Sequence, residues 1–472
     1  MMLENLEPKA VWKYFGELCK IPHCSKHEEK IADYIVKVAK EHGLEAMKDE
    51  NGNVIVRKKA NGYENAPMVT LQCHMDMVCE KNKEVTHDFT KDPIKPRIEG
   101  EWLKAEGTTL GADNGIGVAI CLALMEAQDI KHGPLEFLLT VDEETGLTGA
   151  FRLKKESVKG EMLINLDSED FGVIFIGCAG GGDTTITLPL TYEPAGKQGL
   201  KVAVKGLKGG HSGIEIDKGR ANAIKLLARV LHQVNARVSK AEGGDKHNAI
   251  PREAVAEILA GDDAEAKIKE IEKNFRVEYA KTEPDLRIEV EPCTVEKVLD
   301  EATNATLINL LMGLPHGVLA MSQDVEGLVE TSTNLATLRT DEKAVIGTSS
   351  RSSINSALEW VRESIACIAS LAGADAEQGD AYPGWKPNLD SRLLDVASKA
   401  FKELFGEDIE KKAIHAGLET GVIGEITDID EIISIGPEIQ HPHSPDERVN
   451  IPSVEKFWKY LLYLLEKIAR EW

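Results

Sequence analysis

The stretch "VTLQCHMDMVCE" (residues 69–80) contains the pattern from which the fold can be predicted. It begins as an apolar run with the length of a buried strand and then places His74 and Asp76 two residues apart. Because alternate side chains of a strand project to the same face, these two are expected to emerge together at or just beyond the strand's carboxyl end. A lone His-x-Asp is common by chance, so the pair by itself also fits a structural histidine beside a surface aspartate.

Other strand-like runs alternate with a helical pattern through the first third of the chain. They are "NVIVRK" (53–58), "PMVTLQC" (67–73), "LEFLLTV" (135–141) and "EMLINL" (161–166), with the helical pattern "GIGVAICLALMEAQ" at 115–128. This alternation predicts an α/β domain with a mostly parallel sheet. The central runs are apolar on both faces, as expected when helices cover both sides of the sheet.

The middle of the chain has a different sequence pattern, in which pairs of predicted strands alternate with single predicted helices. This pattern predicts an α+β domain with an antiparallel sheet. The last part, from residue 388, contains too few elements for a fold of its own and is expected to return to the first domain. We therefore predict a discontinuous first domain (1–185 and 388–472) and an inserted second domain (186–387).

Composition excludes several classes of protein. The 472 residues carry a formal charge of −23, and the basic residues form no stripe, which argues against nucleic acid as a partner. No run approaches the roughly twenty apolar residues that span a bilayer. The N-terminal stretch resembles an amphipathic helix and not a leader, so we expect a cytoplasmic protein. The eight cysteines contain no C-x-x-C pair and are expected to be reduced, buried thiols.

Acidic side chains follow two further strands of the predicted sheet. "LLTVDEETG" ends with Asp142, Glu143 and Glu144, and "MLINLDSED" contains Asp167. Ligands of parallel sheets bind beyond the carboxyl ends of the strands, so these side chains and His74 are expected to converge. Taken singly, each acid also fits a polar turn or a helix cap.

Two more segments add candidate ligands. Asp113 lies in the glycine-rich "TLGADNGIGVAI", and His441 and His443 flank a proline in "IGPEIQHPHSPDERV", although a helix cap and surface histidines are alternatives. Histidines with several carboxylates and no thiolate form a ligand set for zinc, manganese or cobalt. The set is large enough for two ions that share Asp113. Carboxylates packed this closely would repel one another unless a cation neutralised them.

These residues, in this order, resemble the M20 family of co-catalytic metallopeptidases, and in particular its aminoacyl-histidine dipeptidase branch. The matching phrases are "LQCHMDMV", "TLGADNGIG", "DEETGLTGA", "LINLDSED", "GCAGG", "GGHSG", "YPGWKPN", "HAGLETG" and "HPHSPDERV". They span nearly the whole chain.

The resemblance implies a role for each candidate. It places one metal on His74 and Asp167, a second on Glu144 and His443, and Asp113 between them, with Asp76 orienting His74 and Glu143 as general base. It also implies that the inserted domain is a lid. In the lid, His211 of "GGHSG" would polarise the scissile carbonyl, and Arg351 and Gly417 are candidates for binding the substrate's carboxylate. Without the resemblance, His211 fits a glycine-rich turn equally well.

The function expected from this resemblance is a metallo-dipeptidase that hydrolyses unsubstituted dipeptides, especially Xaa-His and β-alanyl-histidine. Two divalent ions are expected, zinc first, with cobalt or manganese as alternatives. A homodimer through the lid domain is compatible with the family. The alternatives are an aminoacylase or other amidohydrolase on the same scaffold, and an inactive metal-binding homologue.

Overall fold

The computed structural model describes residues 3–472, and the chain divides into two compact units. The first unit consists of Met1–Gly177, Pro387–Ala413 and Leu418–Trp472, and the second of Cys178–Lys386 and Ile414–Gly417. Residues 178–185 and 414–417 thus lie in the second unit, whereas the sequence pattern assigns them to the first domain.

The described residues form helices in both units. The α-helices are α1 Lys9–Leu18, α2 Glu29–Glu41, α3 Ala112–Glu126, α4 Glu143–Gly146, α5 Thr148–Phe151, α6 Ala223–Gln233, α7 Ala264–Glu278, α8 Glu301–Gly313, α9 Asn355–Leu371, α10 Arg392–Phe405, α11 Glu419–Thr427 and α12 Ile451–Glu471. Short 3-10 helices cover Leu3–Asn5 and Lys155–Ser157.

The described residues also form 23 strands. They are β1 Glu45–Lys48, β2 Val54–Lys58, β3 Val69–His74, β4 Pro96–Glu99, β5 Trp102–Ala105, β6 Leu135–Thr140, β7 Met162–Asn165, β8 Val173–Cys178, β9 Gly180–Pro189, β10 Tyr192–Lys205, β11 Gly210–His211, β12 Arg237–Gly243, β13 Ala249–Ile250, β14 Ala254–Leu259, β15 Arg287–Leu299, β16 Gly317–Met321, β17 Val329–Thr340, β18 Lys343–Ser352, β19 Asp375–Tyr382, β20 Glu410–Ile414, β21 Ile432–Ser434, β22 Ile439–Gln440 and β23 Arg448–Asn450.

The first unit is built on an eight-stranded sheet in the order β1-β2-β6-β3-β7-β21-β8-β20. The four central strands β6, β3, β7 and β21 are parallel, and β1, β2 and β8 pair antiparallel. Every residue of β3, β6 and β7 is buried. This burial explains why these strands read as continuous apolar runs and not as alternating ones.

A separate four-stranded antiparallel sheet, β22-β23-β5-β4, also belongs to the first unit. Strands β22 and β23 are joined by residues 441–447, the loop that contains both predicted histidines. Pairing of β23 with β5 therefore anchors the end of that loop in the sheet.

The second unit contains a nine-stranded antiparallel sheet in the order β15-β10-β14-β12-β17-β18-β9-β19, with β16 paired to β17. Its own hydrophobic core includes Leu227 and Leu231 of α6, Phe275 of α7 and Ile346 of β18. The predicted fold class, a mostly parallel α/β domain with an antiparallel α+β insertion, is confirmed.

The cysteines correct one expectation. Cys24 and Cys79 are joined by a disulfide, whereas the other six cysteines form none. Four of these six are buried as expected, but Cys293 is half-buried and Cys367 is exposed. Cys24 and Cys79 are 55 positions apart, so no short sequence motif predicts this disulfide. Across residues 3–472, no helix is long and apolar enough to cross a membrane.

Candidate active site

The carboxyl ends of three parallel strands bring the first candidates together. In the sheet register His74 of β3 lies beside Thr140 of β6, and Gln72 of β3 lies beside Asn165 of β7. The residues that follow β6 and β7, among them Glu143, Glu144 and Asp167, therefore start from the same edge of the sheet as His74. This is the convergence that the strand-end pattern predicts.

His74 is the centre of one cluster. Its Nε2 atom lies 3.1 Å from Asp113 Oδ1 and 3.2 Å from Asp167 Oδ1. Its Nδ1 atom lies 3.1 Å from the main-chain oxygen of Asp76 and 3.3 Å from Asp76 Oδ1. One ring nitrogen is thus held by Asp76, and the other is directed at two carboxylates.

His443 is the centre of a second cluster, which shares Asp113 with the first. Its Nε2 atom lies 3.0 Å from Asp113 Oδ2 and 2.9 Å from Glu144 Oε2. Asp113 therefore presents one carboxylate oxygen to each histidine. His441, the other histidine of the loop, is exposed and shows no contact with this cluster.

The Asp76 carboxylate also organises the turn after β6. It accepts the backbone N–H groups of Glu143 at 3.0 Å and Glu144 at 3.2 Å, and the Ser25 hydroxyl at 2.8 Å. Asp76 is 1% exposed, so these hydrogen bonds replace its water shell. The same carboxylate thus fixes the positions of both glutamates.

Glu143 differs from its neighbours because its carboxylate makes no hydrogen bond or ion pair with any of residues 3–472. Burial raises its pKa well above the usual range, and the carboxylates of Asp167 and Glu419 raise it further. A carboxylate without a partner and with a raised pKa is suited to accept a proton near neutral pH.

The other acids of the cluster respond to burial and to the histidines. Burial raises the pKa of Asp167 to about 6. Burial opposes ionisation of Asp113 as well, but hydrogen bonds from His443 and His74 hold its pKa below the usual range. The reciprocal effect of Asp113 and Glu144 raises the pKa of His443 to about 11.

The donor set fits divalent metal ions. No ion pair among residues 3–472 joins these carboxylates to lysine or arginine. The buried Glu144 Oε1 accepts no hydrogen bond, and Asp167 Oδ1 has only its 3.2 Å contact with His74. Ligand atoms about 2.0–2.2 Å from a tetrahedral zinc ion lie about 3.3 to 3.6 Å from one another, slightly farther apart than the contacts of 2.9–3.2 Å here. His74, Asp113 and Glu144 also form a group whose ligand atoms lie within 4.8 Å of one another.

A buried chain of polar side chains runs beneath this edge of the sheet. Ser434 donates to Asn165 at 2.5 Å, Asn165 to Gln72 at 2.5 Å, and Gln72 to Glu419 at 2.6 Å. Thr140 also donates to Glu419 at 2.6 Å, and Asn165 accepts the backbone N–H of Asp167 at 3.2 Å. Sequence reasoning missed this chain, although polar residues inside otherwise apolar strands were a visible signal.

Glu447 was missed as well, although it lies in the quoted phrase "HPHSPDERV". It is 2% exposed, and its carboxylate accepts the backbone N–H groups of the turn that contains Asp113. An acidic residue four positions after a candidate ligand was the available signal.

The second unit contains the other predicted residues. His211 Nδ1 accepts the backbone N–H groups of Gly213 and Ile214, both at 3.1 Å, which leaves the proton on Nε2. Burial lowers the pKa of His211, and the charge of Arg351 lowers it further, so the ring is neutral near pH 7.

Arg351 belongs to the same group of side chains as His211. A Cβ placed on Gly213 would lie 3.1 Å from His211 Cε1 and 3.2 Å from Arg351 Nε, so the two side chains flank this glycine. Arg351 Nη1 donates to the Tyr382 hydroxyl at 2.9 Å, whereas its buried Nε donates to no group. Arg351 is 8% exposed, and its Nε, which flanks Gly213 together with His211, is available to an anionic ligand.

Gly417 and His415 lie in the short segment that returns to the second unit. A Cβ on Gly417 would approach the Tyr382 ring to 2.8 Å, so a larger residue does not fit beside that ring. His415 Nε2 lies 2.7 Å from the Ser332 hydroxyl. The geometry thus places His211, Arg351 and Gly417 in one unit, and the predicted metal ligands in the other.

Comparison with known proteins gives a family match. The model of peptidase family M20/M25/M40 matches residues 70–467. The cytosol non-specific dipeptidase of Escherichia coli K12 is 43% identical over 479 aligned residues, which cover 99% of both chains.

Solved structures give a match of the same extent. The crystal structure of aminoacylhistidine dipeptidase from Vibrio alginolyticus matches with a TM-score of 0.92 and 43% identity, covering 98% of this chain and 97% of that one. Aminopeptidase PepT from Bacillus cereus matches with a TM-score of 0.59 and 17% identity over 98% of this chain and 99% of that one, a likeness of fold alone.

Proposed function

The chain belongs to the M20 family of peptidases, and we propose that it is a metal-dependent dipeptidase acting on unsubstituted dipeptides, Xaa-His and β-alanyl-histidine among them. Two full-length relatives at 43% identity are named as dipeptidases, one as a cytosol non-specific dipeptidase and one as an aminoacylhistidine dipeptidase. A broad preference that includes Xaa-His dipeptides is consistent with both names.

One observation carries the proposal. Asp113 directs one carboxylate oxygen to His74 and the other to His443, and a carboxylate oxygen of Asp167 contacts His74 while one of Glu144 contacts His443. Two ligand sets that share one carboxylate form a dinuclear site. His74 and Asp167 would hold one ion, Glu144 and His443 would hold the other, and Asp113 would be shared between them. Zinc is the proposed metal, with cobalt and manganese as alternatives.

The residues around this site divide the work of amide hydrolysis. Two bound divalent cations would supply a water whose pKa is lowered to about 7 and positive charge next to the carbonyl oxygen. Glu143 accepts the proton of the attacking water and returns it to the nitrogen of the leaving amine as the C–N bond breaks. Asp76 holds the backbone of Glu143 in place for both transfers.

Residues of the second unit bind the peptide. His211 is neutral and carries its proton on Nε2, so it donates a hydrogen bond to the carbonyl oxygen of the scissile bond. Arg351 Nε is a buried donor without an acceptor and binds the substrate's terminal carboxylate. Gly417 contributes to the carboxylate site by allowing close packing of Tyr382, whose hydroxyl accepts a hydrogen bond from Arg351.

The proposal extends to location and assembly. The cytoplasm is the proposed compartment, as the name of the Escherichia coli relative suggests for that protein. The Cys24–Cys79 disulfide is the feature that argues against it, because disulfides are rare in reducing compartments. The second unit is the proposed surface for a homodimer, which light scattering in solution tests.

The decisive experiment compares substrate classes on one enzyme preparation. Purified protein is stripped with a chelator, reloaded with zinc, cobalt or manganese, and assayed on Ala-His, β-Ala-His, Ala-Ala and the N-acetylated amino acids. We expect activity on the dipeptides that disappears on chelation and returns with metal. Turnover of the N-acetylated amino acids alone would assign the chain to the amidohydrolases, and metal binding without any turnover would identify an inactive homologue.

A further inference from the structure

Glu447 makes an unusual set of contacts for a buried carboxylate. Its Oε2 accepts the backbone N–H groups of Leu110 at 2.7 Å and Gly111 at 3.0 Å. Its Oε1 accepts those of Ala112 at 2.7 Å and Asp113 at 3.2 Å. Four consecutive backbone donors of one turn therefore converge on a single side chain, two on each oxygen.

The turn depends on its glycine. Gly111 has a φ of +70°, and a Cβ at this position would lie 2.8 Å from Met77 Sδ. Asp113 and Asn114 have non-helical backbone angles, so regular helix begins only after them. Successive N–H groups in such a turn form a concave anion site, and Glu447 fills it.

The same glutamate belongs to the loop that contains His443. Residues 441–447 connect β22 to β23, and Glu447 N–H donates to the Ser444 carbonyl at 3.0 Å within that loop. Strand β23 starts at the next residue, Arg448, and pairs with β5. Glu447 is thus fixed from its own side by the sheet and from the other side by the turn of Asp113.

We propose that Glu447 is a positioning residue that sets the spacing between Asp113 and His443, and thereby the affinity of the site for its metal ions. The inference rests on the proposed function, because it takes both residues as metal ligands. Both carboxylate oxygens of Glu447 accept backbone N–H groups, so this side chain is not a candidate metal ligand. It joins two segments that are 334 positions apart at Asp113, in addition to the pairing of β23 with β5.

The matched control is Glu136, another buried glutamate of the first unit. It is 0% exposed, and its Oε1 accepts the backbone N–H groups of Lys159 at 2.9 Å and Gly160 at 3.3 Å. It lies at the start of β6, whereas the candidate site lies beyond the end of that strand. Replacing it therefore tests the cost of removing a buried carboxylate without touching either ligand segment.

The experiment measures cobalt binding to metal-free protein by absorption titration for the wild type, Glu447→Gln and Glu136→Gln. Glutamine keeps the shape but directs an amide NH2 at two of the four donors. We expect Glu447→Gln to lower cobalt affinity by about 10- to 100-fold, the range typical of residues that orient metal ligands. Its kcat on Ala-His should recover at high cobalt concentration. Glu136→Gln should lower the melting temperature while leaving cobalt affinity unchanged.

Circular dichroism of each metal-free variant establishes that it is folded. Should Glu447→Gln fail to fold, Glu447→Asp provides the measurement, since it keeps the charge but withdraws it by one methylene and should give a smaller loss of affinity. Wild-type cobalt affinity in a folded Glu447 variant, or an equal loss in Glu136→Gln, would overturn the inference. Wild-type protein that binds cobalt but cleaves no dipeptide would refute the proposed function alone, and one that binds no divalent ion would refute both.

Discussion

The two units of the chain present opposite chemistry in their buried polar clusters. The cluster of the first unit gathers the carboxylates of Asp113, Glu144 and Asp167 with no lysine or arginine paired to them, and Glu144 Oε1 accepts no hydrogen bond. The second contains a donor without an acceptor, Arg351 Nε, near a histidine that carries a free N–H. Unpaired buried groups are costly, so each cluster indicates the charge of its missing partner: cations for the first and an anion for the second.

The comparison is tested first at Glu143, where the largest effect is expected. Glu143→Gln keeps the size of the side chain but removes the proton acceptor, so kcat on Ala-His should fall by about 10³-fold with metal content unchanged. Steady-state kinetics together with metal analysis check this. Glu156→Gln, an exposed residue of the same unit, serves as control and should keep wild-type kcat. Undiminished turnover in Glu143→Gln would remove this residue from the mechanism.

The second test concerns His211. An asparagine oxygen can still accept the N–H groups of Gly213 and Ile214 but offers no donor at the position of Nε2. His211→Asn should therefore lower kcat by about 10²- to 10³-fold with little change in KM, as for the loss of one oxyanion donor. His232→Asn, at an exposed histidine of the same unit, is the control. A change confined to KM would show that His211 binds the substrate without polarising it.

The third test concerns Arg351. Loss of a charged hydrogen bond of about 1.5–3 kcal/mol should lower kcat/KM of Arg351→Gln by about 10- to 100-fold, mainly through KM. With the wild type, dipeptide amides, which lack the carboxylate, should show the same 10- to 100-fold lower kcat/KM as Arg351→Gln shows with dipeptides. With Arg351→Gln, replacing the dipeptide by its amide should cause no further loss of kcat/KM. Arg362→Gln is the matched control because Arg362 is 5% exposed and belongs to the same unit. If the losses of kcat/KM from the substitution and from the amide were additive, Arg351 would not be the residue that binds the carboxylate.

The last test concerns stability in acid, which does not involve the chemical step. Burial, together with the charge of Arg351, lowers the pKa of His415 to about 4, so folding favours the neutral ring. The contribution of His415 to the free energy of unfolding is fully present above its pKa of 6.5 in the unfolded chain and is lost as the pH falls towards 4. Between pH 7 and pH 4 the wild type should lose up to about 3 kcal/mol more than His415→Gln, which has no group to titrate. Denaturant unfolding at both pH values measures this, and equal losses would contradict it.

The fold was predictable because its signals are local. Runs such as 69–74 and 135–140 are buried on both faces, and parallel pairing aligns their carboxyl ends. Sequence order alone therefore indicated that His74 and the acids after β6 would converge. The roles of these residues in catalysis remain proposals.

Other features could not be predicted because they depend on partners far away in the chain. Glu447 binds backbone N–H groups, which have no sequence signature, and Cys24 pairs with a cysteine 55 positions away. The return of residues 414–417 to the second unit also has no sequence signal, since the segment is too short to show a periodic pattern. Sequence patterns predict helices and strands, whereas these contacts form only when the helices and strands pack together in the folded chain.

The excursion of residues 414–417 limits how the protein can be taken apart genetically. A fragment that spans Cys178–Lys386 would look like a complete module, yet it would lack His415, the partner of the Ser332 hydroxyl. Ser332 is fully buried, and an orphaned hydroxyl at such a depth costs about 1–3 kcal/mol. Grafts or chimaeras that exchange the insertion between homologues should therefore transplant this tetrapeptide along with it.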